Sequence, residues 1–453
     1  MHELLINLNG KLNKFMNREL GITINLDRKK FSIMMVWYSF ILLLLLSSFF
    51  YTAGISNHKL ILSFVIIHFL FTSFLLLEYW SDFRWIFILS FILRFFIMCW
   101  DLYFQDVFLI PTARPDPDFF YFEAINVSSK SISRILSSNV NFYSKIMGMM
   151  FRYVGGYRIL GQYINVLLSI SIIFIFNKNL EILSIEKKYQ RLLLSIYALF
   201  PQGIVVSSIF LREMFVTFFI SLSVFKFTKW FSNDNAKNML FTILLIGIAA
   251  LFHSGVLAII TGYIFAFLFY DYKNQKFTIS TRTLIYALLL AFILIGGLFL
   301  LGDSLFIKFS VVENLSDVYR VASSARGGAA YLENLKITNV WQLIFFSPIR
   351  MIYFWFSPMP WNWRGVLDVI AFILDSLFYL MVILKVIIRR ESINVKKELF
   401  ICLLISLFAS SLIFGIGVNN AGTAARHRHK LFSLFLIILS IIIKNKKSLN
   451  YYK

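Results

Sequence analysis

Long apolar runs alternate with short polar and basic segments along most of the chain. Runs of about 18 or more apolar residues are long enough, as helices, to cross the roughly 30 Å hydrocarbon layer of a membrane. Two longer apolar segments are interrupted by polar residues, at Arg212-Glu213 and at His253-Ser254-Gly255, so each predicts two helices rather than one. The predicted spans lie at about 31–53, 59–78, 85–104, 158–176, 192–208, 212–228, two half-length runs flanking His253, 284–302, 366–388, 398–417 and 431–443. The pattern predicts an all-α polytopic membrane protein, a single transmembrane domain with roughly twelve transmembrane helices.

Basic residues predict which side of the membrane each loop occupies, because cytoplasmic loops carry an excess of Lys and Arg. The polar N-terminal thirty residues, Arg389-Arg390 and the tail Lys444–Lys453 are all basic, and we expect both termini to be cytoplasmic. Two long loops then fall outside, at residues 105–157 and 303–364. In the second, an aromatic run before Pro358 is too short to span and predicts an interfacial or re-entrant helix.

Composition supports this class. The chain is 59% hydrophobic and only 15% charged, whereas soluble domains are about 45–50% apolar and about 25% charged. A net charge of +21 would suggest a nucleic-acid partner in a soluble protein. Here the excess is mostly Lys in loops beside spans, so membrane lipids are the expected partner and nucleic acid is not.

The cations on the predicted outer side are mainly arginine, which is unusual for that side. The clearest example is the stretch Asn419–Lys430, with five basic residues in succession between two apolar runs. A guanidinium binds phosphate oxygens with two hydrogen bonds and keeps its charge. These outer arginines therefore predict a phosphate-bearing lipid-linked substrate. Alternatively, each arginine reaches lipid headgroups or pairs with a nearby acid. The set is Arg114, Arg212, Arg320, Arg326, Arg350, Arg364, Arg426 and Arg428.

Four further residues are candidates for proton transfer or substrate orientation. Asp116 and Asp118 precede an aromatic run, and a partly desolvated carboxylate there suits a general base. Glu213 is a rival acid, and His253 interrupts an apolar hairpin where it could contact a hydroxyl or a phosphate. The alternatives are that the aspartates form a turn in a Pro-rich loop, that Glu213 balances Arg212, and that His253 bonds the backbone at a helix break.

No nucleotide-binding or metalloprotease motif and no Cys/His cluster occurs in the sequence. Asp116 and Asp118 have a DxD-like spacing that could hold a metal. The outer arginines can neutralise phosphate without one, so we expect neither a required metal nor another cofactor.

Several short motifs resemble those of bacterial polysaccharide polymerases of the Wzy/EpsG kind. Leu211-Arg212-Glu213 opens a span as their Arg-Gln element does, although Glu213 stands where the family usually has Gln. Ala249–Ser254 resembles their Ala-x-x-x-His-x-Ser element, and Asp118 with Tyr121 resembles the Asp and Tyr of their first outer loop. Gly422–Arg428 is similar to the closing Arg segment before their last helix.

The same stretches resemble membrane glycosyltransferases of the GT-C superfamily, which have an early outer-loop Asp, a Pro-containing helix start like Pro201–Ser208 and a closing Arg-x-Arg. Both resemblances imply sugar transfer from a polyprenyl-phosphate carrier at the outer face of the bacterial cytoplasmic membrane. For a polymerase, they imply an undecaprenyl-pyrophosphate-linked glycan as substrate and a chain-length regulator protein as a partner.

These resemblances also imply roles for individual residues in O-antigen or capsular polysaccharide synthesis. Asp118 or Asp116 would be the base and His253 would orient the acceptor or the phosphate, with Glu213 a further catalytic candidate. The phosphate-binding residues would be Arg212, Arg320, Arg326, Arg426 and Arg428. Two alternatives remain open: a GT-C enzyme that adds one sugar, and a flippase, for which a charged path through the membrane and internal repeats would be expected.

Overall fold

The structure is a computed structural model that describes residues 28–55, 57–79, 82–281, 283–285, 288, 323, 327–389 and 396–443. Within these residues the chain is helical apart from loops and one two-stranded hairpin. The helices are α1 Arg28–Thr52, α2 His58–Tyr79, α3 Arg84–Tyr103, α4 Asp116–Ser128, α5 Ile132–Ser137, α6 Phe142–Val154, α7 Arg158–Ile182, α8 Lys187–Leu199, α9 Pro201–Ser208, α10 Glu213–Asn233, α11 Ala236–Phe252, α12 Ile260–Phe269, α13 Val340–Phe356, α14 Val366–Ala371, α15 Leu377–Arg389, α16 Lys397–Gly417, α17 Ala421–Lys430 and α18 Phe432–Ile443.

Short irregular elements connect some of these helices. Two 3₁₀ turns lie at Ser254–Ile259 and Pro360–Asn362, and a π-helical turn at Phe372–Ser376 joins α14 to α15. The hairpin pairs β1 Tyr270–Asp271 antiparallel with β2 Lys276–Phe277.

Seven helices are long and apolar enough to cross a membrane, and the pair α8 and α9, bent by 48°, would make an eighth span. The chain is therefore an all-α polytopic membrane protein. The prediction of roughly twelve spans also counted α11, α12 and α18, which are shorter than a full span. It further counted residues 284–302, most of which lie outside the described part of the chain. The seven are Phe31–Thr52, His58–Glu78, Arg84–Tyr103, Arg158–Ile182, Glu213–Asn233, Val366–Ile388 and Lys397–Gly417.

The chain divides into two compact units. The first comprises Met1–Leu89 with Tyr153–Tyr157, and its described part is built on the packing of α1 against α2. Both helices expose apolar side chains such as Leu45 and Leu70 on their outer faces. An apolar surface on both sides of a packed helix is expected where one side faces lipid.

The second unit is Ser90–Arg152 with Arg158–Lys453, and its core contains helices that are buried almost throughout. Helix α7 is buried over 89% of its most apolar stretch, and every residue of α18 except the last is buried. Helix α10 packs against α7, α11, α17 and α18. Helices that are buried over almost their whole length are enclosed by other helices, so α7 and α18 lie at the centre of this unit.

Both predicted helix breaks are present. Arg212 is the residue before α10, and His253 ends α11 in extended backbone before a 3₁₀ turn. The predicted span 192–208 is itself bent, because Pro201 has no backbone N–H to continue α8. Helices α4, α5 and α6 fill the predicted first outer loop, and the 17-residue α13 is the aromatic helix predicted before Pro358.

Helices α12 and α16 cross closely at a glycine. A Cβ added to Gly262 would lie 2.0 Å from the carbonyl oxygen of Cys402 and 2.2 Å from Oγ of Ser406. Ser406 in turn donates to the carbonyl of Ile259 at 2.8 Å. Small residues permit this kind of backbone approach between membrane helices.

We expect Gly262→Ala to destabilise the protein by about 1–3 kcal/mol, because the added methyl group must push two helix backbones apart. Thermal unfolding of the purified protein in detergent measures the effect. Gly247→Ala in α11 is the matched control, since a Cβ there meets nothing within 4 Å; alanine in that helix should be neutral or slightly stabilising. Equal unfolding temperatures for the two variants would contradict the close crossing.

Candidate active site around helix α17

Helix α17 lies at the centre of the site. The Asn420 side chain caps its start by accepting from the backbone N–H groups of Gly422, at 2.9 Å, and Thr423, at 3.3 Å. Three alanines favour the helix, and its last turn carries Arg428 and Lys430, cations that suit the negative end of the helix dipole. A β-bridge between Ala330 and Asn420 fixes the preceding chain.

Two basic residues on one face of α17 contact acids from different helices. Arg426 and Lys430 are four residues apart and so share a face. Arg426 Nη2 donates to Asp116 Oδ2, at the start of α4, at 2.6 Å. Lys430 Nζ lies 3.5 Å from Glu213 Oε1, at the start of α10. The Lys430 and Glu213 side chains are buried, whereas that of Asp116 is 46% exposed. The first pair is therefore the one that solutes can reach.

Two histidines meet beside these ion pairs. The rings of His253 and His427 lie edge to face with centroids 4.7 Å apart. Burial, reinforced by the charge of Lys430, lowers the pKa of each imidazole well below its usual value. Both rings are therefore neutral near pH 7. Neither Nδ1 atom has a hydrogen-bond partner among the described residues, so each ring retains a polar atom for a ligand.

Burial also lowers the pKa of Lys430, to about 7, against the opposing effect of Glu213. Removing Glu213 would therefore favour the neutral amine. Arg212 adds a third cation to the same region, with its guanidinium 5.3 Å from the ring centre of Phe120. The cluster thus holds an exposed acid, a buried acid, three cations and two neutral imidazoles.

Arg428 has a different environment. Its side chain is completely buried and donates to the Asp375 carboxylate, to the carbonyl of Phe354 at 2.7 Å and to the carbonyl of Ser357 at 2.9 Å. It lies two residues from Arg426 and so on another face of the helix. The guanidinium of Arg428 is therefore not accessible to a phosphate, contrary to the predicted role. Its contacts instead hold α17 against α13 and the π-helical turn.

Asp118 lies in a separate ion-pair network. It accepts from Arg114 and from Arg158 Nη1, the latter at 2.5 Å. Arg158 Nη2 also lies 3.6 Å from Asp101, which accepts from Gln162 at 2.6 Å. Both guanidinium groups donate to the same oxygen, Asp118 Oδ1, which is therefore already occupied by two hydrogen bonds. Asp118 is thus less suited to accept a proton than Asp116.

The fold brings together many of the site residues that were predicted from the sequence. They come from four segments that are far apart in the chain. Arg320 and Arg326 lie outside the described residues. Sequence patterns alone did not indicate roles for Lys430, Arg158 or Asp375. Charged residues inside or at the ends of apolar spans are the signal that could have identified the last two. The residues that meet are Asp116, Arg212, Glu213, His253 and Arg426.

No group of three or more His, Cys, Asp or Glu side chains is placed to hold a metal ion within the described ranges. Comparison of the chain with protein families, with curated proteins and with solved structures finds no match. The inferences about function therefore depend on the residues and their geometry.

The buried pair Arg428–Asp375 leads to a stability prediction. We expect Arg428→Ala to cost about 3 kcal/mol, because it leaves the Asp375 carboxylate buried without its cation. The matched control is the double variant Arg428→Leu with Asp375→Leu, which removes both charges and should recover most of the loss. Thermal unfolding in detergent and the amount of folded protein in membranes measure both. An Arg428→Ala protein of unchanged stability would show that the pair does not hold α17 in place.

Proposed function

We propose that the chain is a membrane glycosyltransferase that polymerises lipid-linked oligosaccharide repeat units, with an undecaprenyl-pyrophosphate-linked glycan as donor. The reaction would take place at the outer face of the bacterial cytoplasmic membrane. One observation carries the proposal: four distant segments bring a reachable carboxylate, clustered cations and two neutral imidazoles to one place in a membrane protein. Glycosyl transfer from a pyrophosphate needs a base for the acceptor and positive charge for the leaving group.

Arg426 and Arg212 are the residues assigned to the pyrophosphate. Arg426 is partly exposed and contacts Asp116 with Nη2, while its Nε has no hydrogen-bond partner among the described residues. Arg212 Nε is likewise buried without a partner in the described part of the chain. Guanidinium groups with unused donors can take up phosphate oxygens and stabilise the charge that develops as the glycosidic oxygen leaves. Lys430 adds positive charge from a buried position.

Asp116 is the residue assigned as general base. It is half-exposed and has one cationic contact, whereas Asp118 is held by two arginines. In the proposed step, Asp116 takes the proton from an acceptor hydroxyl, and that oxygen forms a bond to the anomeric carbon of the donor. The bond from that carbon to the pyrophosphate oxygen breaks, and the lipid pyrophosphate carries away the electron pair.

His253 and His427 are assigned to orientation. A neutral imidazole offers one donor and one acceptor, so it can bond a sugar hydroxyl or a phosphate oxygen without adding charge. Glu213 lies at the first residue of α10 and is buried against Lys430. We assign it to holding Lys430 and not to proton transfer.

A gel of surface polysaccharide from a deletion strain and its complemented parent tests the proposal. Loss of the repeat-unit ladder while a single unit is still made on the cell surface is the expected result. A ladder that persists with every rung shifted by one sugar would instead indicate transfer of a single sugar. Repeat units that accumulate inside the cell would indicate a flippase, and an unchanged ladder would contradict all three activities.

A further inference from the structure

A cavity near the start of α17 is lined by aromatic, aliphatic and polar side chains, one of them a carboxylate, that the proposed reaction does not use. It has a volume of about 630 Å³, within the range of small-molecule sites. Its lining residues are Ala330, Tyr331, Leu332, Glu333, Asn334, Leu335, Tyr353 and Asn362. A smaller neighbouring pocket shares Ala330, Tyr331 and Asn362 and reaches Ala421, the first residue of α17.

One wall of the cavity is built of aromatic rings held in fixed positions. The rings of Tyr331 and Tyr353 lie 5.1 Å apart, and the Tyr331 hydroxyl donates to the carbonyl of Val418 at 2.9 Å. The indole N–H of Trp361 donates to the Tyr353 hydroxyl at 2.9 Å. Rings whose hydroxyl groups are held by hydrogen bonds present a rigid apolar face with polar edges.

Polar side chains also line the cavity. Glu333 and Asn334 are exposed, and Asn362 is half-buried. Together a carboxylate and two amides offer hydrogen-bond donors and acceptors in several directions. This combination fits a pyranose, which has an apolar face of C–H groups and a rim of hydroxyls. This lining does not fit a lipid chain, which cannot form hydrogen bonds with the polar groups. It also does not fit an anionic headgroup, which Glu333 would repel.

The cavity is also close to the proposed reaction centre. Ala330 pairs with Asn420, the residue that caps α17. Arg426 follows Asn420 by six residues, which is about 9 Å along a helix at 1.5 Å per residue. A glycan that occupies the cavity could therefore reach Arg426 and Asp116 with its next sugars.

We propose that this cavity is a saccharide-binding subsite that holds one sugar of the oligosaccharide while a neighbouring sugar lies at Asp116. The identity of that oligosaccharide rests on the proposed function. Tyr353 supplies the stacking face, and Asn334 and Glu333 bond the hydroxyls. The subsite selects a substrate by the shape of one sugar, at a distance from the bond that forms.

Direct binding to the purified full-length protein in detergent tests the subsite. The probe is the free oligosaccharide repeat unit, released by mild acid hydrolysis of the sugar–pyrophosphate bond of the lipid-linked repeat unit. Affinity is measured by calorimetric titration and contact by saturation-transfer NMR. We expect Tyr353→Ala to weaken binding by about tenfold, as for a central aromatic contact. Tyr353→Phe keeps the ring and should bind within about threefold of the parent.

The matched control is Trp341→Ala, which removes a 76% exposed aromatic ring from the same helix outside the cavity and should leave saccharide binding unchanged. Equal binding by Tyr353→Ala and the parent, or no binding by the parent, would overturn the subsite. Binding of phospholipid in place of the saccharide would also overturn it and would identify a lipid contact.

Failure of the subsite and failure of the proposed function give different results. If the ladder survives deletion of the gene while the Tyr353-dependent binding remains, the polymerase proposal fails and the subsite stands. If the ladder is lost but Tyr353→Ala binds normally, the polymerase proposal stands and the subsite fails.

Discussion

Replacing Asp116 with Asn should slow polymer formation by about 10²–10⁴-fold, the usual contribution of a positioned general base. Asparagine keeps nearly the same shape and can still accept a hydrogen bond from Arg426, so the ion-pair geometry at 2.6 Å is disturbed little. What it cannot do is take a proton from the acceptor hydroxyl. The rate of repeat-unit addition, measured in membranes with lipid-linked substrate, should fall while the amount of folded protein stays the same.

Asp118→Asn is the matched control, because it makes the same chemical change two residues away in α4. Asp118 is bound by Arg114 and Arg158, so its loss should alter the network around α4 and reduce the rate only moderately. A larger loss for Asp118→Asn than for Asp116→Asn would reverse the assignment of the base. Full activity in both variants would show that neither aspartate acts in the reaction.

Arg426→Ala should reduce the same rate by about 10²–10³-fold, as expected when a group that stabilises developing charge is removed. Two effects combine in this variant, because the pyrophosphate loses a guanidinium and Asp116 loses its only cationic contact in the described part of the chain. Arg426→Lys keeps the charge without the planar fork, so it should recover only part of the activity. The measurement is again repeat-unit addition in membranes.

Arg134→Ala is the control for Arg426→Ala, because Arg134 is an exposed arginine of α5 in the same predicted outer loop as Asp116. It should leave the rate unchanged. The stability of Arg426→Ala should also stay close to that of the parent, in contrast to Arg428→Ala. An Arg426→Ala protein that makes polymer normally would remove Arg426 from the site.

The sequence alone predicts the helical membrane class and most helix positions. A long apolar run in lipid can satisfy the hydrogen bonds of its backbone in few ways, and a helix is one of them. It also predicts the breaks at Arg212 and His253, where polar residues interrupt such runs. Amphipathic helix is also predicted through residues 144–153 of the first long loop, where α6 lies. The sequence does not predict the 48° angle between α8 and α9 or the bounds of α4 and α5, because these depend on packing against neighbours that a local pattern does not specify.

The candidate site is harder to predict, because contacts between distant residues decide it. Arg426 and Arg428 look alike in the sequence, yet one reaches Asp116 and the other is enclosed with Asp375. Asp116 and Asp118 are equally similar, and only the positions of Arg114 and Arg158 separate them. Residue type therefore identifies the segments that form the site, while the three-dimensional partner identifies the role of each side chain.

Helix α17 makes charged contacts on more than one of its faces, with Asp116 and Glu213 along one of them and Asp375 along another. Each residue of an α-helix is turned by about 100° from the one before it. An insertion or deletion of one residue between Asn420 and Arg426 would thus rotate every basic side chain away from its acid at once. The number of residues between Asn420 and Arg426 is therefore fixed by these contacts.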